Sequence, residues 1–264
     1  MKTIYLDMNI YADYMDSSRP SHNELKEKID NLKKEYTFLY SPAHMEEIAR
    51  IHRSQDNENQ AIDNITKKMM IISELTNNHE ALPSYESIII RQEHPKECLK
   101  RVLKDYELTL FVEKLNAPTE IKKDLNNKFK EKYNINSSQI GNIEAENFLT
   151  NNSIKNIFNI YLKELNENIK DWNYIKNSHR EIEETISILF AFLDDIGYNK
   201  GSDRQIVSNI HDNTHAIYAT VADVFVTADE KFYKRVKAIY SYLGVPTKIY
   251  LKNEFIREDN KWKK

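Results

Sequence analysis

Apolar and polar positions along this chain follow two different periods. Thr3-Ile4-Tyr5-Leu6 is a short β-branched and aromatic run that stops at Asp7, which predicts a strand. Leu25, Ile29 and Leu32 then recur at steps of four and three inside the charged stretch Ser21 to Lys34, which predicts a helix. Tyr36 to Tyr40 reads as a second strand. It is closed by Ser41-Pro42, a helix start with a capping serine and a first-turn proline. Met45, Ile48 and Ala49 are the apolar face of that next helix. Near the other end, Val224-Phe225-Val226 and Thr247 to Leu251 read as strands. Glu230 to Leu243 between them is helical, stopped by Gly244 and Pro246. Alternating strands and helices predict an α/β layer around a mainly parallel sheet.

The middle, from about 53 to 200, keeps only the helical period. Ile62, Ile65, Met69, Ile72 and Leu75 fall at three- and four-residue steps, as do Leu99, Val102, Leu103, Tyr106 and Leu110. Ile154, Ile157, Phe158, Tyr161, Leu162 and Leu165 do the same, and so do Ile182, Ile186, Leu189, Phe190 and Leu193. The expected organisation is therefore one α/β core, residues 1–52 plus 201–256, interrupted by an all-helical insertion over 53–200. The last helix of that insertion, about 178–197, is expected to pack on the core. Two separate domains fit less well, because a two-stranded sheet in the first 52 residues could not bury itself.

Composition narrows the chemistry. The chain has 264 residues, 40% hydrophobic and 30% charged, with 38 basic and 41 acidic side chains. That supports a substantial core and excludes a uniformly basic coat, though a local basic groove remains open. Four scattered glycines exclude a glycine-rich phosphate loop or dinucleotide fingerprint. One cysteine, Cys98, excludes an internal disulfide and a multi-cysteine metal site. No run of about 18 apolar residues is present to span a membrane, and Asp7 interrupts the N-terminal stretch a signal peptide would need. A reducing, cytoplasmic setting is the expectation.

Ligands of parallel α/β sheets bind beyond the carboxyl ends of the strands. Four acidic positions are expected there: Asp7 after the first strand, Glu46 or Glu47 on the helix after the second, Asp212, and Asp229 after Val226-Thr227-Ala228. Clustered carboxylates repel, and a divalent cation among them relieves the repulsion. Oxygen ligands and the lack of cysteines point to Mg²⁺ or Mn²⁺, ions that clamp phosphoryl oxygens and activate water.

These residues resemble the PIN-domain ribonucleases, a family whose three-layer α/β fold carries such acids. The likeness covers about 1–52 and 201–256. It rests on Asp7-x-Asn9 after the first strand, Glu47 six residues after Ser41, Asp212-x-x-His215 with Ala219, and Thr227-x-Asp229 followed by Phe232. The resemblance implies that Asp7, Glu47, Asp212 and Asp229 hold one or two Mg²⁺ or Mn²⁺ ions and hydrolyse phosphodiester bonds of RNA. DNA would be cut too, because this chemistry does not use the 2′-hydroxyl. It also implies a toxin or defence role with a small inhibitory protein as partner. The long insertion departs from the family pattern and is expected to supply a substrate wall, a partner site or a homodimer contact.

Around the acids, Asn9 is expected to orient Asp7 and Thr227 to brace the pocket. His215, one turn after Asp212, reads as a supporting residue, and His44, three before Glu47, as support or a phosphate contact. Lys122, Lys123, Lys128 and Lys130, interleaved with Phe129 and Tyr133, read either as a backbone-binding strip or as an ordinary solvated helix with core aromatics. Three other classes stay open: a non-catalytic RNA- or protein-binding module, an aspartate-dependent phosphatase, and a helical scaffold in which the α/β part is incidental. The phosphatase usually wants an acid where Asn9 stands.

Overall fold

A computed structural model of the chain describes residues 2–54, 58–104, 127–133, 135, 140–199 and 206–258. Its centre is a four-stranded parallel sheet of β1 (Thr3–Leu6), β2 (Thr37–Leu39), β5 (Val224–Thr227) and β6 (Lys248–Leu251), in the order β2-β1-β5-β6. Its two central strands come from opposite ends of the chain, with Ile4 opposite Val224 and Tyr5 opposite Phe225. Such pairing needs a crossover between strands, and the helices provide it. The fold is α/β with a central parallel sheet.

Strand parity splits the core in two. Ile4, Leu6, Val224 and Val226 face one side, where they meet α1 (Met8–Met15), α2 (His22–Leu32), α4 (Glu58–Thr76) and α9 (Lys252–Arg257). Tyr5 and Phe225 face the other side, against α5 (Asn152–Leu165), α6 (His179–Ile196), α7 (Ile206–Ala219) and α8 (Glu230–Leu243). Helix α3 (Pro42–Ser54) contributes Met45 and Ile48 to the first core and Ala43 to the second. A strand buried on both faces needs apolar residues at every position, as Val224-Phe225-Val226 provides. Helix α8 ends where the sequence stops it: Gly244 adopts φ +79° and its N–H closes the last turn on Tyr240 O.

The middle stretch is not all helical. His79–Pro83 (β3) and Ile88–Gln92 (β4) form an antiparallel hairpin, with Ala81 paired to Ile90. The β-branched run Ile88-Ile89-Ile90 favours a strand, and Asn77 and Asn78 at positive φ end α4 before it. The hairpin hydrogen-bonds to Tyr40 on both its N–H and its carbonyl, beside the end of β2. Leu99 and Val102 lie on a helical stretch over 95–104, while Tyr106 and Leu110 lie outside the described residues. Helices α5 and α6 pack on the sheet face that carries Tyr5 and Phe225. Helix α7 starts at Ile206, so Asp212 sits well inside it rather than at its N-terminus. Ile206, Ile210 and Ile217 already keep the helical steps that carry it back that far.

Candidate metal centre

The connection from β1 goes to β2 on one side, and that from β5 goes to β6 on the other. The sheet order therefore reverses between β1 and β5, where α/β folds open a crevice at the strands' carboxyl ends. Asp7 lies at the mouth of that crevice, 6% exposed. Its N–H donates to Val226 O, and its side chain caps α1 by accepting from Met8 N at 2.7 Å. The other carboxylate oxygen accepts from Asn9 Nδ2 and from Thr227 Oγ1, each at 2.6 Å. Asn9 also accepts from Ala228 N at 3.0 Å, so one amide staples the start of α1 to the end of β5. Asn9 and Thr227 thus orient Asp7, each through a charge-assisted hydrogen bond.

Glu47 comes from α3, and its placement starts at Ser41. Ser41 N–H donates to His44 Nδ1 at 3.0 Å, which puts a histidine in the reciprocal role of a capping box. His44 is fully buried, and its Nε2 bonds Leu6 O at 2.8 Å. Burial and the neighbouring His215 push its pKa down to about 3, so the ring is neutral and Nε2 is the donor. His44 therefore ties α3 to the end of β1, and its burial removes it as a phosphate contact. One turn on, Glu47 is half-buried and faces the crevice, whereas Glu46 lies near Tyr218.

His215 of α7 stands between the two acids. Its Nε2 lies 2.8 Å from Glu47 Oε1 and 3.8 Å from Asp7 Oδ1. Its Nδ1 bonds Tyr5 OH at 2.8 Å, and Tyr5 OH bonds Ser41 Oγ at 2.6 Å. Tyr5 and Ser41 are buried and fix the ring from behind. Strand parity gives the signal for Tyr5: it lies two residues before Asp7 on the same side of β1.

The electrostatics follow from burial. Desolvation raises the pKa of Asp7, and the charge of Glu47 raises it further, against the opposing His215 and the donors from Thr227 and Met8. Burial works against a charge on His215, but Glu47, Asp7 and Asp212 outweigh it and hold the imidazole above its ordinary value. Asp212 is raised to about 7, first by burial, then by the charge of Asp7, with Asp229 adding to it and Arg235 opposing. So Asp212 stands in the electrostatic neighbourhood of Asp7, and Asp229 in that of Asp212.

Proximity separates the expected ligands. Ligand atoms of Asp7, Glu47 and His215 all lie within 4.8 Å of one another, the one such group among the described residues. Asp229 is exposed and caps α8, accepting from Lys231 N at 2.8 Å and Phe232 N at 3.0 Å. The cap is therefore Asp229 itself, and Thr227 Oγ1 accepts from its N–H. Lys122 and Lys123 lie outside the described residues. Lys128 and Lys130 sit on a helical stretch over 127–132 whose Phe129 packs edge-on to Tyr161, with centroids 5.9 Å apart. The aromatic of that strip is a core contact, and Lys132 pairs with Glu164 at 2.6 Å.

Two carboxylates and an imidazole, oriented by Asn9, Thr227 and Tyr5, are a donor set that could hold a divalent metal ion. A Tyr5-directed Nδ1–H would leave the Nε2 lone pair for an ion. Oxygen-only ligation does not describe this group, because its third member is nitrogen. No protein-family model, curated protein or solved structure matches the chain, so the geometry stands by itself.

Proposed function

We propose that this protein is a metal-dependent endonuclease with a PIN-like core, acting on single-stranded RNA and able to cut DNA. The observation that carries this reading is the meeting of Asp7, Glu47 and His215 at the switch point of the sheet, with two further acids nearby. Asp7, Glu47 and His215 would hold the ion, with Mg²⁺ or Mn²⁺ suited to the carboxylates and Mn²⁺ tolerating the imidazole as well. Such an ion neutralises phosphoryl charge and lowers the pKa of water for in-line hydrolysis. The chain's own residues do the rest. Asn9 and Thr227 hold Asp7 in one orientation, and Tyr5 and Ser41 hold His215. Asp212 and Asp229 extend the negative field and favour a cation over a phosphate in the free site. Against the phosphatase reading, both ends of the Asn9 amide are used as a staple, which leaves no acid at that position.

The test is strand scission. A 5′-labelled single-stranded RNA should be cut in Mn²⁺ and spared in chelator, leaving 5′-phosphate ends, and Asp7→Asn should abolish cutting. Equal cleavage by Asp7→Asn, or cleavage in chelator, defeats the assignment.

A further inference from the structure

Four side chains behind the metal centre form a hydrogen-bond chain sealed from solvent. Tyr5, Ser41 and His44 are 0% exposed and His215 is 1% exposed. A polar hydrogen on any of them must therefore find its acceptor inside the protein. The contacts run from His215 Nδ1 to Tyr5 OH at 2.8 Å, from Tyr5 OH to Ser41 Oγ at 2.6 Å, and from Ser41 Oγ to His44 Nδ1 at 3.3 Å. The His44 and His215 rings pack edge to face, with centroids 4.7 Å apart, so the two ends of the chain also support each other.

The far end has a fixed sense. Ser41 N–H can only donate, and it reaches His44 Nδ1 at 3.0 Å. Leu6 O can only accept, and it lies 2.8 Å from His44 Nε2. Nδ1 of His44 is therefore bare and Nε2 carries the hydrogen. A bare nitrogen can take the Ser41 hydroxyl hydrogen. Ser41 Oγ then accepts from Tyr5, and the Tyr5 oxygen accepts from His215 Nδ1–H. In that sense every hydrogen in the chain has an acceptor, and Nε2 of His215 is left bare where it faces Glu47 and Asp7. The opposite sense, from Ser41 to Tyr5 to His215 Nδ1, puts the hydrogen on Nε2 and closes it on Glu47 Oε1 at 2.8 Å. Rotation of two hydroxyls interconverts the two, and only the first leaves room for an ion on Nε2.

We propose that Ser41 and His44 are positioning residues for the metal ion. By ending the chain on a bare nitrogen, they let His215 keep its hydrogen on Nδ1 and offer Nε2 to the ion. Neither hydrogen-bonds to Asp7, Glu47 or His215, and both act through Tyr5. The inference deepens the metal-centre reading and rests on it.

Metal affinity and the imidazole tautomer test this on the full chain. Ser41→Ala removes the acceptor of the Tyr5 hydroxyl, so an ion on Nε2 would strand one buried hydrogen. Mn²⁺ should bind this variant about 10-fold more weakly by titration calorimetry. In a Tyr5→Phe background the same substitution should change affinity by less than about twofold, because the chain is already cut. A serine that mattered only for packing would weaken both backgrounds alike. Nitrogen-15 spectra of Mg²⁺-loaded wild type should show His215 with its hydrogen on Nδ1 and none on Nε2. Wild-type affinity in Ser41→Ala, an equal loss in both backgrounds, or a hydrogen on Nε2 in the loaded protein overturns the proposal. No Mn²⁺ binding by wild type defeats the metal centre and the proposal with it. Mn²⁺ binding without strand scission defeats only the nuclease reading and leaves the positioning role standing.

Discussion

Two groups of buried acids sit in this molecule, and the chain treats them differently. Glu80 of β3 is fully buried and meets Arg101, which bonds it at 2.5 Å and also bonds Glu93. Burial raises the pKa of Glu80, with Cys98 and Arg101 opposing, while Arg101 overcomes the burial of Glu93 and lowers it. Here the sequence supplies a permanent cation. Asp7 has no lysine or arginine within ion-pair distance among the described residues, and the group between it and Glu47 is a titratable imidazole. A guanidinium locks a charge balance, whereas an imidazole can give up its proton to an entering cation. The hairpin cluster is built for stability, and the β1–α3–α7 cluster is built to exchange its counter-charge.

That contrast can be broken from either side. The largest effect is expected from Asp7→Asn, which should cut metal-dependent kcat/KM by about 100-fold or more. That meets or exceeds the loss usual for a partner that only orients a ligand, and folding stability should stay within about 1 kcal/mol. Arg101→Met should do the reverse. It strands Glu80 in the interior and should cost about 2–3 kcal/mol in urea unfolding, at the low side for a broken buried pair because Arg101 is 40% exposed. Activity per folded molecule should not change.

Next in size is pH. Asp212 is raised to about 7 from 3.8, so its neutral form is favoured by the fold. Its destabilising effect is absent below about pH 4 and grows until pH passes 7. His215 is held above 6.5, so its stabilising effect is complete below 6.5 and is lost as pH rises through its higher folded value. Both signs agree. Metal-free protein should lose on the order of 2 kcal/mol, or roughly 4–8 °C in Tm, between pH 5.5 and 8. Saturating Mn²⁺ should remove that fall, as calorimetry with and without chelator would reveal. The smallest effect is expected from Tyr5→Phe, which removes the partner of His215 Nδ1 and should weaken Mn²⁺ about 10-fold by titration calorimetry. Arg101→Met should leave Mn²⁺ affinity untouched.

Much of this was readable in the residues, for stated reasons. Asp7 ends a strand whose apolar run is short and unambiguous, and Gly244 with Pro246 stops α8 where it does stop. Glu47 was separable from Glu46 because Met45 and Ile48 fix which side of α3 is buried. The hairpin at His79–Pro83 and Ile88–Gln92 was hidden by the helical steps around it, and isoleucine runs serve either element. His215 and Asp212 lie one turn apart and share a face of α7. Which of them reaches Asp7 depends on how α7 lies against the sheet, a tertiary fact that spacing does not contain.

The central claim is that Asp7, Glu47 and His215 share one ion. Crystals soaked in Mn²⁺ and measured for anomalous scattering address it without assuming a substrate. The account predicts a peak within bonding distance of a carboxylate oxygen of Asp7, one of Glu47 and Nε2 of His215. A map with no peak there, or with the ion bound only elsewhere on the chain, would contradict it.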